Sequence, residues 1–369
     1  MRIERAHLHR IRLRLKAPFR TSFGEERDRE CLILSLKAEG LTGWGECAAT
    51  AEPGYSYETV GTAWHILRDF FLPALFGAEI HSPEVWPERL RGYRGHPMAR
   101  AAVEMALWDL WGKLEGRSFR ELIEGERQRV PVGVSIGIQE SPERMLEMVE
   151  SFLSAGYRRV KLKIAPGADV QIVGMVRERH SDLALWVDAN AAYTLEDRKV
   201  FQALDQLSLG LIEQPLAEDD LLGHRDLQSL LQTPVCLDES VHNAREASQA
   251  LALNACRVIN IKPARVGGYL EARAIEQLCR ARQVPVWCGG MLETGIGRAA
   301  NLALASRPGF VLPGDISASD RYYAEDIAQP LFELNPDSTI DAPKGPGLGV
   351  EVDEVALKKF TLAEEQILP

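Results

Sequence analysis

Val160-Lys161-Leu162-Lys163, Leu185-Trp186-Val187-Asp188, Gly210-Leu211-Ile212-Glu213, Val235-Cys236-Leu237-Asp238 and Ile259-Asn260-Ile261-Lys262 repeat one pattern, a short and mostly apolar run that ends on a charge. The terminal charges stand 25, 25, 25 and 24 residues apart, and a stretch with helical periodicity separates each run from the next. A fixed period of this size marks a repeated unit, read here as strand, loop, helix, loop. Strands joined by helical crossovers belong to a parallel sheet. The five charges, Lys, Asp, Glu, Asp and Lys in order, are therefore expected at one edge of that sheet.

The period extends outward. Arg129-Val130-Pro131-Val132-Gly133-Val134-Ser135-Ile136 reads as a first strand about one period before Lys163, Val284 to Cys288 continues the series, and Phe310-Val311-Leu312-Pro313 supplies an eighth. Helices are predicted at about 142–155, 168–182, 194–207, 219–232, 243–254, 267–282 and 293–306. Eight parallel strands at this spacing most simply close into a (β/α)-barrel of the (β/α)7β, TIM-like kind over residues 126–320. An open doubly wound sheet is the fallback.

Upstream, residues 1–125 read as an α+β capping domain. Ile3 to Leu15 and Cys31 to Ala38 alternate as strands do, Thr42 to Glu46 looks like the end of another, and Tyr57 to about Leu122 has helical pattern. The best helix, Ala99 to Leu114, can turn Ala102, Met105, Ala106, Trp108 and Trp111 to a core, and Gly116 follows where a helix would stop. The tail 321–369 loses the repeat and is too short for a core of its own, so it is expected to complete the first domain.

Composition narrows the function class. The net charge of −10 argues against a nucleic-acid surface, and no apolar run approaches a membrane span. The six cysteines form no C-x-x-C pair, which fits reduced thiols in the cytoplasm.

The acids carry the chemistry. One Asp or Glu after a strand can be a simple helix cap. Asp188, Glu213 and Asp238 on consecutive strands would instead converge, and three carboxylates cannot share one site without protonating or binding a cation. An all-oxygen set selects Mg²⁺, with Mn²⁺ able to substitute. A lysine in a strand is usually a solvated surface group. Lys163 and Lys262, however, would lie four strands apart across the barrel mouth, one on each face of a substrate's α-carbon. A lysine must be neutral to act as base, and a nearby cation together with Lys161 on the same strand would depress the pKa of Lys163. Proton removal from one side and return from the other gives racemisation or epimerisation; removal with loss of a β-group gives elimination.

Lys161-Leu162-Lys163, Asp188-Ala189-Asn190, Glu213-Gln214-Pro215, Asp238-Glu239-Ser240 and Asn260-Ile261-Lys262-Pro263 resemble the enolase superfamily in its muconate-lactonizing branch. Gly289 to Arg298 and Pro313-Gly314-Asp315-Ile316-Ser317 look like the o-succinylbenzoate synthase / N-acylamino acid racemase family. The resemblance implies a metal-dependent enzyme acting on a small carboxylate. Its reactions are dehydration of 2-succinyl-6-hydroxy-2,4-cyclohexadiene-1-carboxylate in menaquinone synthesis and racemisation of N-succinylamino acids. It assigns Lys163 as dehydration base and Lys262 as stabiliser of the intermediate charge, with both as bases in racemisation. Asn190 and Glu239 would support the metal or Lys262. A homo-oligomer is expected, with no nucleic-acid or membrane partner.

Specificity elements are read from loops. Ala17 to Gly24, with Phe19 and Phe23, is either a hairpin connection with packed aromatics or a lid; the resemblance places it and Glu52-Pro53-Gly54-Tyr55 over the pocket. Ser135 can face the pocket from the first strand. Gly289 and Gly290, followed by Met291, allow either close backbone approach to a ligand or a tight turn. Dipeptide epimerases usually carry Asp-x-Asp after the eighth strand, and Asp315-Ile316-Ser317 departs from it. Dipeptide epimerase or cycloisomerase is the alternative activity. A non-catalytic binding protein on this fold should have lost one of the five charges, and none is missing.

Overall fold

The computed structural model describes residues 1–77 and 79–369. Strands β1 (Arg5–Thr21), β2 (Gly24–Ala38) and β3 (Leu41–Cys47) form an antiparallel meander. Thr361–Ile367 of the tail pairs with β1 as a fourth strand. The alternation seen in the sequence serves two cores, since successive side chains on a strand point to opposite faces. Ala6, Leu8, Leu32, Leu34 and Leu36 pack beneath the helices, whereas Ile11, Leu13, Leu15, Cys31 and Ile33 join the barrel core. The sheet is thus sandwiched rather than solvated on one side.

The helix Pro97–Glu115 lies on this sheet. Pro97 occupies its first turn, Gly116 closes it in the left-handed conformation, and the Glu58 carboxylate accepts from the free amides of Met98 and Ala99. The helix approaches β3 so closely that a Cβ on Gly45 would stand 2.1 Å from the Ala102 carbonyl. The expected helical pattern from Tyr57 to Leu122 is less continuous than the sequence suggests. Helix Val60–Ile66 runs into a wider turn Leu67–Phe71, and the short turns Pro73–Leu75, Pro83–Val85 and Trp86–Arg89 lie between it and Pro97. Pro73, Pro83 and Pro87 lack the amide a longer helix would need.

Seven parallel strands follow: Val134–Ile136, Arg159–Lys163, Ala184–Asp188, Ile212–Glu213, Val235–Leu237, Val258–Ile261 and Val286–Cys288, hydrogen-bonded in sequence order. The predicted helices follow these strands in turn, from Pro142–Ser154 after the first to Gly295–Ala305 after the last, each shorter than its expected span. Two expected strands are corrected. Arg129–Pro131 belongs to an antiparallel pair with Thr339–Asp341, and the barrel strand starts only at Val134. The break falls at Gly133, where a Cβ would stand 2.2 Å from the buried Arg159 guanidinium. Phe310 to Pro313 is not a regular strand. It is an extended segment that closes the barrel through Leu312 N–H to Val286 O, Gly314 N–H to Pro131 O and Asp315 N–H to Cys288 O, because Pro313 has no amide to give a ladder.

Candidate active site

The register brings the charges together as the period predicts. Lys163 pairs with Asp188, and Asp188 with Glu213, across adjacent strands; Asp238 and Lys262 follow the ends of the next two. All three acids are buried, as are Lys161, Lys163 and Lys262. Every carboxylate is held by an ammonium. Lys163 Nζ lies 2.6 Å from Asp188 Oδ2 and Lys262 Nζ 2.7 Å from Asp238 Oδ2. Lys161 Nζ lies 2.5 Å from Glu213 Oε2, 3.0 Å from Asp188 Oδ2 and 2.7 Å from Asp315 Oδ2.

These pairs set the protonation states. Burial works against charge at Asp188, but Lys161 and Lys163 overcome it and hold this carboxyl well below its usual range. Burial likewise disfavours the charged forms of Lys161 and Lys262, yet Asp188 on the first and Asp238 on the second keep both ammonium groups protonated. Lys161 is itself tied to three acids, Asp188, Glu213 and Asp315. Glu213 goes the other way. Burial, then Asp188 and Asp238, push its carboxyl well up. Glu239 is pushed up to about 7 by burial and by Asp238 and Asp188.

That crowding tests the site for a cation. The donors are all oxygens, among them Asp188, Glu213 and Asp238, which repel one another in a dry environment, and Glu239 Oε2 is a buried oxygen without a hydrogen-bond partner. No imidazole or thiolate takes part in these ion pairs. The residues fit a hard divalent ion.

A cavity of about 560 Å³ opens above the acids. Lys161, Lys163, Asn190 and Lys262 form its floor, and Phe19, Phe23, Tyr55, Ser135, Gly290 and Met291 lie in its wall, as the sequence reading placed them. Ser135 Oγ is buried with no partner, free for a ligand atom. Ala17 to Gly24 is a hairpin connection whose tip stands beside the cavity. Its strands continue to a two-residue tip, Ser22-Phe23, and that tip reaches the barrel mouth, where Ser22 Oγ donates to Asn190 O at 3.2 Å. Phe23 packs on Gly54, joining the two cap segments over the cavity. Gly289 is a correction. It does not line the cavity; a Cβ there would meet Asn260 and Lys262 Cε at 2.5 and 2.7 Å, so it makes room for Lys262.

Supporting contacts fall where expected and also beyond. Asn190 accepts from Lys163 Nζ at 2.6 Å and donates to Glu239 Oε1 at 3.0 Å. Tyr55 does more than line the wall: its hydroxyl donates to Asp238 Oδ1 at 2.9 Å, and Lys262 Nζ lies 4.2 Å from its ring centre. Sequence reasoning missed four residues. Arg265 pairs with the other side of Asp238; its signal was a basic residue on the helical turn that Pro263 starts after Lys262. Asn260 donates to Glu213 Oε1 at 2.7 Å from the strand run that was quoted for its lysine. Asp315 bridges Lys161 and Arg159, and Arg159 lies over Trp186 with its charge 4.4 Å from the ring centre. Nothing in the sequence signals that pairing, because it crosses the barrel interior.

Comparison with known proteins agrees with this geometry. Residues 5–124 match the mandelate racemase / muconate lactonizing enzyme N-terminal domain, and residues 144–356 match the enolase C-terminal domain-like family. The chain is 49% identical to an N-succinylamino acid racemase of an Amycolatopsis species, over 99% of each chain. It is 46% identical to an o-succinylbenzoate synthase of Geobacillus kaustophilus, over 97% of this chain and 96% of that one. An enolase-superfamily protein from Listeria innocua superposes with a TM-score of 0.96 at 44% identity, covering 100% of this chain and 99% of that one. The chain belongs to the mandelate racemase / muconate lactonizing enzyme branch of the enolase superfamily, whose members depend on a divalent metal.

Proposed function

We propose that this chain removes the α-proton of a small carboxylate, as an o-succinylbenzoate synthase, an N-succinylamino acid racemase, or both. The observation that carries the reading is the pair Lys163 and Lys262, which enter one cavity from strands four apart, each against an acid of the same trio. Asp188, Glu213 and Asp238 would hold the ion, with Mg²⁺ favoured by their oxygens. When bound, the ion would neutralise charge that develops on the substrate carboxylate and draw the three acids away from the lysines.

The residues then have distinct work. Lys163, positioned by Asn190, takes the proton from the α-carbon. In racemisation Lys262 returns one to the opposite face; in dehydration it balances the developing charge while the proton taken by Lys163 passes to the β-hydroxyl, which leaves as water. Phe19, Phe23, Ser135 and Met291 shape the room for the acyl chain, and the tip Ser22-Phe23 excludes water. A dipeptide epimerase is disfavoured by Asp315, whose carboxylate is already held by Arg159 and Lys161 and is not open to a substrate ammonium. Six buried, unpaired cysteines fit the reducing cytoplasm.

The test is α-proton exchange of an N-succinylamino acid in D₂O, followed by proton NMR and optical rotation with Mg²⁺ or EDTA. Metal-dependent exchange with loss of rotation supports two-base racemisation, and Lys163→Ala or Lys262→Ala should each cut it by roughly 10³-fold. Exchange with retained rotation leaves one lysine delivering protons. Absence of exchange together with absence of cyclohexadiene dehydration refutes the reading.

A further inference from the structure

His7, His9 and Glu364 form a cluster on the cap sheet that the chemistry above does not use. Residues two apart on a strand share a face, so His7 and His9 stand side by side on β1 with ring centres 4.3 Å apart. The strand Thr361–Ile367 runs antiparallel beside them and sets Glu364 directly opposite His9. One nitrogen of each imidazole and one Glu364 oxygen all lie within 4.8 Å of one another. His9 is 7% exposed, and its buried Nδ1 has no hydrogen-bond partner. That nitrogen lies 3.5 Å from Glu364 Oε2. Two ligands bonded to a tetrahedral Zn²⁺ at ~2.1 Å stand ~3.4 Å apart, so the pair is already spaced as one edge of such a site.

We propose that His7, His9 and Glu364 bind a transition-metal dication of the Zn²⁺ type and so fasten the Thr361–Ile367 strand to β1. Two imidazoles and one carboxylate select such an ion over Mg²⁺, which prefers oxygens alone. A fourth position would remain for water. Lys358 Nζ lies 2.5 Å from Glu364 Oε1, which leaves Oε2 for the ion; Lys358 is itself largely exposed and free to turn away. Lys37 and Arg5 also act on the His7 imidazole and oppose the added charge.

The experiment uses the full chain, stripped with EDTA, supplied with excess Mg²⁺ and titrated with Zn²⁺ by calorimetry, with Co²⁺ absorption in parallel. A zinc-binding step should appear and weaken by at least roughly tenfold in Glu364→Gln and His7→Asn, both near the surface. Unchanged zinc affinity in both variants overturns the site. Because a variant can disturb the strand, amide exchange of residues 361–367 is also followed in the unaltered chain. Zn²⁺ should slow it; exchange indifferent to Zn²⁺ overturns the fastening.

Discussion

At the barrel mouth each acid already has a cation, so single substitutions act by leaving a buried partner behind. Asp315 is the clearest case. Asp315→Asn removes the charge that faces both Arg159 and Lys161, and breaking a buried pair from one side costs about 3 kcal/mol or more; a lower urea midpoint is expected with the slope unchanged. Tyr55→Phe is milder. It keeps the ring against Lys262 and loses one hydrogen bond to Asp238, so kcat/KM should fall roughly tenfold while stability holds. The five repeat charges were legible in the sequence because each closes its own strand. Arg159, Asp315 and Arg265 were not, because what each side chain meets depends on strands far from it in the chain.

Two glutamates of the cap are used as helix caps in the barrel. Glu46 accepts from Thr294 and Gly297 at the start of Gly295–Ala305, and Glu104 accepts from Tyr269 and Leu270 at the start of Tyr269–Ala281. Burial pushes the Glu104 carboxyl up to about 7, against donors that favour its charge. The native state therefore keeps this proton to about pH 7, whereas the unfolded chain releases it near the ordinary carboxyl value of 4.5. Stability falls as pH rises between those values. Glu104→Gln should flatten that fall by about 3 kcal/mol, read from urea midpoints at about pH 5 and pH 8. Element order and type were readable from periodicity wherever a helix or strand buries one face. The first and eighth barrel segments were misjudged because a strand is defined by its neighbours: Arg129–Pro131 reads as apolar alternation whether it pairs with the barrel or with the tail.

For the molecule as a whole, a cation held by the acid trio, as proposed above, would tie stability to metal. An ion that binds only the folded state adds about 2.7 kcal/mol at about 100 times its Kd; thermal melts should rise with Mg²⁺, fall back with EDTA, and respond far less in Asp188→Asn. That the tail returns to the first domain was foreseen from its length, although the strand it adds was not placed. The pairing of Ala6 with Ile367 has a further consequence. The whole barrel is synthesised between those two residues, so during translation β1 leaves the ribosome long before its outer neighbour exists. Until then its outer edge is unpaired, and the Arg10, Arg12 and Arg14 side chains along it, tied to Glu30 and Asp28 of β2, set charge beside that edge and so discourage pairing with the same strand of another nascent chain. The cap can therefore be finished only late in synthesis, with the hairpin that reaches the cavity waiting beside an edge flanked by charged side chains.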